Sequence, residues 1–148
     1  MIMTSATANS DPVVRDPIHP LHAILLAFLF PLSLGALLSD VAYNNSYEMQ
    51  WANFAAWLIA GALLGGGLAL VWALAGLVRA GKRRSRRRVV YTALLLVTWV
   101  LGLFNALVHA RDAYATMPSG LVLSVVATVL ALITSWLGFT SRRAGAAS

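Results

Sequence analysis

The sequence predicts an all-α protein that folds as a transmembrane four-helix bundle, and three observations support this prediction. Of its 148 residues, 59% are hydrophobic and only 11% are charged, with a mean hydropathy of +0.76. A soluble domain carries about a quarter charged residues, so this chain has too little polar surface for a water-soluble globule. Four long apolar stretches are present, and most of the basic residues lie in one segment between the second and the third stretch.

The four apolar stretches have the length that a bilayer requires. Crossing about 30 Å of hydrocarbon takes roughly 20 helical residues at 1.5 Å each. Stretches of this kind cover residues 21–43, 51–78, 89–110 and 120–139. The last three contain no Asp, Glu, Lys or Arg, whereas the first contains Asp40 near its end. Because an Asp at the centre of a span costs about 2.5–3.5 kcal/mol on the insertion scale, we expect Asp40 at the membrane interface.

The segments that flank the spans are predicted to be short tails. Residues 1–17 contain two Asp residues and lack the basic start of a cleaved signal peptide, so we interpret them as a disordered N-terminal tail. The transmembrane domain is expected over residues 18–140, and residues 141–148 form a short C-terminal tail.

The basic segment between the second and third spans predicts the orientation. Lys and Arg residues in short loops stay on the cytoplasmic side of a membrane. Four spans then place both termini in the cytoplasm, which agrees with Arg15, Arg142 and Arg143 in the tails. Nucleic-acid binding is the alternative, but no aromatic residues alternate with these cations. The topology residues are Arg79, Lys82, Arg83, Arg84, Arg86, Arg87 and Arg88.

Glycines in the second span predict close helix packing. Apolar side chains gain little by clustering in lipid, so helices associate where small residues let their backbones approach. Span two contains a GxxxG pair and is expected to be the central helix of the bundle. Its packing residues are Gly61, Gly65, Gly66 and Gly67.

The rare polar residues fall into two groups when they are sorted by membrane side. An ionisable group within or at the edge of a membrane is a candidate functional residue. The outer-side group is the stronger candidate site and comprises Asp40, Asn105, His109, Arg111 and Asp112. Its alternative interpretation is a structural ion pair of Arg111 with Asp40 or Asp112. The inner-side group comprises His19, His22 and Tyr91.

Cofactor and catalytic motifs are sparse. The absence of cysteine excludes disulfides, thiolate metal sites and covalent haem attachment. Two histidines that ligate one haem must lie at one depth, whereas His22 and His109 lie near opposite ends of their spans. No catalytic triad, HExxH motif or phosphate loop is present. We therefore expect no metal site, no cofactor and no catalytic activity; haem b ligated between subunits and a bound quinone remain alternatives.

Several short segments carry a family resemblance. Besides Pro31 and Asp40, they are residues 19–23 (HPLHA), 50–54 (QWANF), 105–113 (NALVHARDA) and 136–138 (WLG). In combination they resemble domain-of-unknown-function family 2231 over nearly all of residues 18–139. The resemblance implies a small four-helix protein of the bacterial inner membrane, with no activity firmly attached. It also implies an association of this subgroup with periplasmic quinoprotein sugar dehydrogenases and cytochromes.

The resulting functional hypothesis is a non-catalytic membrane subunit. It would dock a periplasmic redox enzyme, such as a quinoprotein dehydrogenase or a cytochrome, and hand electrons towards quinone. The first alternative is an oligomeric small transporter or channel, and the second is a cytochrome-like subunit that binds haem b. The expected partners are the lipid bilayer, the redox enzyme and a second copy of the chain, and nucleic acid is not among them.

Overall fold

The computed structural model describes residues 19–83, 85–111 and 116–140, and it is all-helical over these residues. Four helices are long and apolar enough to cross a membrane. They are α1 (Pro20–Ser46), α2 (Met49–Ala80), α3 (Arg86–His109) and α4 (Ser119–Thr140). A 3₁₀ turn at Gly81–Arg83 follows α2. The four predicted spans are confirmed, each within a few residues, whereas the predicted tails lie outside the described residues.

Local sequence explains where the helices begin and end. Pro20 occupies the first turn of α1, where its missing N–H leaves no hydrogen bond unmade. Tyr47 ends α1 in the left-handed conformation, with φ of 54°, and its N–H donates to the Tyr43 carbonyl. Ser85 caps α3 by accepting a hydrogen bond from the Arg88 N–H at 3.4 Å.

The helices form a four-sided bundle. Each one packs against the two helices adjacent to it in a ring, in the order α1, α2, α3, α4 and back to α1, and the α1–α2 contact is the most extensive. We call the end that carries Arg79 and Arg86 the basic end. The opposite end, where α1 meets α2 and where α3 terminates at His109, is the distal end.

The prediction that the second span is the central helix is wrong, because α2 occupies one side of the ring. Its glycines do mark close contacts: a methyl group at Gly66 would lie 3.0 Å from Leu29 Cδ1, and one at Gly67 would lie 3.0 Å from Trp99 Nε1. The Trp99 indole donates to the Leu63 carbonyl at 3.0 Å. Methyl groups at Gly61 and Gly65 would touch α1, so these small residues draw α2 against two neighbours without surrounding it.

The distribution of polar and apolar side chains is that of a protein in lipid. Large apolar residues point outwards, and Trp57, Leu64, Val78 and Trp136 are each about 70% exposed or more. Conversely, many polar side chains are buried within the bundle. An apolar surface of this extent requires hydrocarbon around it, so the chain is an integral, multi-pass membrane protein in contact with the lipid bilayer.

Candidate functional site

The most deeply buried charged group of the described residues, Asp40, pairs with His109 near the distal end. Asp40 on α1 is 0% exposed, and the His109 side chain at the end of α3 is 2% exposed. His109 Nε2 lies 2.8 Å from Asp40 Oδ1. Asp40 is therefore enclosed by protein, and a histidine from another helix is its partner.

The second ring nitrogen of His109 fixes the position of its hydrogen. His109 Nδ1 lies 2.9 Å from the backbone carbonyl oxygen of Asn105. A carbonyl oxygen can only accept, so Nδ1 carries a hydrogen and donates it. The remaining labile proton then lies between His109 Nε2 and Asp40 Oδ1. It belongs either to an imidazolium facing a carboxylate or to a carboxylic acid facing a neutral imidazole.

The other carboxylate oxygen of Asp40 is held by α4. The Ser124 hydroxyl donates to Asp40 Oδ2 at 2.5 Å, and Asn105 Nδ2 donates to Ser124 Oγ at 2.9 Å. Asn105 and Ser124 are 2% and 1% exposed. Three helices thus contribute to one hydrogen-bonded group, which we call the distal cluster: Asp40, Asn105, His109 and Ser124.

Small residues on α4 allow the distal cluster to form. A methyl group at Gly120 would lie 3.0 Å from His109 Cε1 and 2.6 Å from Thr116 Cγ2. The buried face of α4 consists only of small or hydroxyl side chains. They are Gly120, Ser124, Ala127, Thr128, Ala131, Thr134, Ser135 and Gly138. This face lets α4 approach α1 and α3 closely enough for Ser124 to reach Asp40.

Of the two remaining predicted outer-side residues, the structure describes only Arg111, which is not part of the cluster. Arg111 is exposed, and the ion pair recorded for Asp40 is with His109 instead of Arg111. The alternative interpretation of an ion pair between Asp40 and Arg111 is therefore wrong, because the carboxylate is directed into the bundle, where it pairs with His109. Asp112 lies outside the described residues, and so does its predicted pairing with Arg111.

The inner-side residues meet at the basic end. His22 Nε2 lies 3.1 Å from the Tyr91 hydroxyl, and the His19 ring lies 4.8 Å from that of Trp72. His22 and Tyr91 are 4% and 6% exposed. We call His19, His22, Trp72 and Tyr91 the basic-end cluster. Trp72 was missed, because a tryptophan inside an apolar stretch gives no sign that it stacks on histidines.

The two clusters occupy opposite ends of the bundle. His22 and Asp40 are separated by about 27 Å along α1 at 1.5 Å per residue. His109 contacts Asp40, so it lies at the far end from His22. Within residues 19–83, 85–111 and 116–140, no group of three or more His, Asp or Glu side chains is arranged to hold a metal ion.

Comparison with known proteins identifies the family. The sequence model described as "Predicted membrane protein (DUF2231)" matches residues 18–142. The chain belongs to the DUF2231 family. No curated protein and no solved structure matches the chain. The resemblance inferred from the short sequence segments is thereby confirmed, and the description of the family names no activity.

The DUF2231 chain exposes its cations at the basic end. The side chains of Arg79, Lys82 and Arg86 are exposed, as are those of Arg87 and Arg88. Arg83 belongs to the 3₁₀ turn, and Arg84 lies outside the described residues. Cations are thus concentrated at the end of the bundle opposite to the distal cluster.

The bundle of this DUF2231 protein contains a cavity between its two clusters. The cavity has a volume of about 30 Å³ and adjoins the distal cluster on the side that faces the basic end. Asn105 and Ser124 form part of its wall. All four helices line it. The other lining residues are Leu29, Ser33, Ala36, Ile59, Ala62, Leu63, Thr98, Trp99, Gly102 and Ala127.

Proposed function

We propose that this protein is a non-catalytic membrane subunit that docks a redox enzyme at its distal end and takes up or releases protons at Asp40 and His109. The observation that supports this most is the complete burial of a carboxylate–imidazole pair within three helices. Such pairs are expensive in a membrane, and Asp and His side chains inside transmembrane bundles are typical of proton relays.

A purely structural role is the competing explanation of the pair. Buried ion pairs are a poor source of stability, because the desolvation of two charges offsets most of their attraction. Well-packed apolar residues would hold α1 and α3 together at least as well. The energetic argument therefore favours a function for the exchangeable proton between Asp40 and His109.

The proposed orientation places the distal end in the periplasm of a bacterial inner membrane. The exposed cations at the basic end support this orientation, since Lys and Arg flanking short loops remain cytoplasmic. A periplasmic dehydrogenase or cytochrome would then meet the end of the bundle that carries the distal cluster. Protons released by quinol oxidation, or taken up by quinone reduction, would be exchanged there.

The alternative functions have less support. A channel needs a continuous polar route between the two clusters, whereas the buried layer beside the basic-end cluster is mostly apolar and includes Leu26, Leu70 and Leu95. A haem between His22 and His109 of one chain is incompatible with their separation. A quinone ring is too large for a cavity of about 30 Å³.

Docking is tested in the native organism with an affinity-tagged chain extracted in mild detergent. The expected result is an eluate that contains a second protein with the visible absorption of a redox cofactor. Deletion of the chain should also lower substrate-dependent quinone reduction by isolated membranes. If deletion changes the reduction rate with none of a panel of sugars and alcohols, the docking proposal is wrong.

Proton handling is tested by complementing the deletion with variants. Asp40→Asn removes the titratable carboxyl while keeping its size, and we expect it to restore less than a tenth of the quinone-reduction rate at equal protein level. His22→Gln, at the opposite end, is the matched control and should restore the rate fully. Full restoration of the quinone-reduction rate by Asp40→Asn would contradict the proposed proton exchange, and only the docking role would remain.

A further inference from the structure

The central cavity contains an unpaired hydrogen-bond acceptor in its wall. Asn105 Oδ1 is buried and has no hydrogen-bond partner among the described residues. A buried amide oxygen without a partner costs roughly 1–3 kcal/mol. Asn105 lines the cavity, so a molecule bound there can satisfy this oxygen.

The hydrogen-bond directions in the distal cluster show that the unpaired atom is the oxygen. Ser124 has a single hydroxyl hydrogen, which it donates to Asp40 Oδ2. Ser124 Oγ must therefore accept its second bond, and only the amide nitrogen of Asn105 can donate it. The opposite amide orientation would place two acceptors face to face. The cavity consequently needs a ligand that donates a hydrogen bond to Asn105 Oδ1.

The hydroxyl groups in the cavity wall are also acceptors towards a ligand. Ser33 Oγ donates to the Leu29 carbonyl at 2.8 Å, and Thr98 Oγ1 donates to the Leu94 carbonyl at 2.8 Å. Since each hydrogen is already used within its own helix, Ser33 Oγ is left to accept, and Thr98 Oγ1, which already accepts from Thr134 Oγ1, retains one lone pair. A small donor with two hydrogens matches such a wall, whereas a cation would lose more hydration than a few neutral oxygens return.

The size of the cavity selects among donors. A volume of about 30 Å³ accommodates about two water molecules and no larger organic donor. Towards the basic end the polar lining of the cavity ends at Thr98, whose Oγ1 lies 3.0 Å from Thr134 Oγ1. The layer beyond this pair is mostly apolar, with Leu26, Leu95 and Ala131 almost fully buried, and it also contains the buried Ser135. Water in the cavity would therefore connect with the distal cluster and end at this apolar core.

We propose that the central cavity is a water-binding site in which one or two waters donate to Asn105 Oδ1 and extend the distal cluster to the middle of the bundle. This chain of water and polar side chains ends at the mostly apolar layer on the side of the basic end. The role of this water as an extension of the proton-exchange site rests on the proposed function, whereas the presence of the water does not.

Proton-detected solid-state NMR on the full chain in lipid bilayers measures this water directly. Magnetisation transferred from water should reach the Asn105 side-chain amide and the Thr98 amide, and the Leu95 amide one turn deeper should receive several-fold less. Transfer to Asn105 and Thr98 that is no greater than transfer to Leu95 would overturn the inference.

A matched pair of substitutions on α2 assigns the water to the cavity. Ala62→Val adds two methyl groups to the cavity wall, whereas Ala60→Val adds them on the exposed side of the same helix. Ala62→Val should lower water transfer to Asn105 at least twofold, and Ala60→Val should leave it unchanged. Ala127→Val fills the cavity from α4 and serves if Ala62→Val misfolds.

The filling variants also separate this inference from the proposed function. Unchanged transfer of magnetisation from water to Asn105 in both Ala62→Val and Ala127→Val would place the water outside the cavity and overturn the inference. Loss of water with full quinone reduction in the complemented strain would confirm the water site and separate it from the enzyme's activity. Failure of the docking test would leave the NMR result unaffected.

Discussion

Asp40 and His109 meet at two atoms 2.8 Å apart, and removing one or both side chains separates structure from function. His109→Leu leaves a buried carboxylate without its partner and should lower the free energy of unfolding by about 3–5 kcal/mol. The double variant Asp40→Leu with His109→Leu replaces the pair by apolar side chains and should recover most of this loss. Denaturant titration in detergent micelles measures both values.

The double variant gives the decisive comparison at this scale. If the pair has a function, a stable double variant fails to restore quinone reduction in the deletion strain. If the double variant is stable and fully active, the pair is neither functional nor required for folding. A double variant as unstable as His109→Leu would instead show that the geometry of the pair itself holds α1 and α3 together.

Single residues also show what the sequence reveals about the site. Asp40, Asn105 and His109 stand out because polar groups are rare in apolar spans, and the structure brings these three together. Ser124 does not stand out in this way. A serine in a transmembrane helix commonly bonds its own backbone, so composition does not reveal that it faces a carboxylate on another helix.

The helices themselves follow from apolar length, which is why the predicted spans agree with α1 to α4. Their arrangement around the ring does not follow from it. The glycines of α2 predict a close contact but leave the partner undetermined, and the structure divides them between α1 and Trp99 of α3. The buried face of α4, which consists of small residues, is less conspicuous in the sequence, because serine, threonine and alanine allow close packing there as well as glycine.

Gly138 provides the test of close packing by α4. A methyl group at this position would overlap Leu26 Cδ2 and approach Tyr91 Cε2 to 2.8 Å. Gly138→Ala should therefore lower the free energy of unfolding by about 1–3 kcal/mol, the usual cost of overpacking. It should also disturb the hydrogen bond between His22 and Tyr91. Thermal unfolding in detergent and the tyrosine fluorescence measure these two effects.

Gly76 on α2 is the matched control for this substitution, because a methyl group there would meet nothing within 4 Å. Gly76→Ala should leave the protein unchanged or stabilise it by up to about 1 kcal/mol, since alanine is the better helix former. Equal destabilisation by both substitutions would mean that α4 does not approach Leu26 and Tyr91 as closely as described.

The whole molecule has a polar asymmetry that makes its orientation testable. The chain has no cysteine, so single cysteines can be introduced as labels. Asn45→Cys lies at the distal end and Lys82→Cys at the basic end, and both positions are exposed. In intact cells, a membrane-impermeant maleimide should label Cys at position 45, and should label position 82 only after permeabilisation. The reverse pattern would place the distal cluster in the cytoplasm and exclude a periplasmic partner.

The arrangement of the two clusters also predicts that the bundle does not conduct protons. The distal cluster and the central cavity occupy the distal half, and a mostly apolar layer that includes Leu26, Leu70 and Leu95 lies between them and the pair of His22 and Tyr91. A proton would have to cross this mostly apolar layer, which costs far more than thermal energy. Proteoliposomes that contain the wild-type chain and a pH-sensitive dye should thus show the same proton permeability as protein-free vesicles. Permeability that rises with the amount of protein and disappears in Asp40→Asn would instead establish the channel alternative.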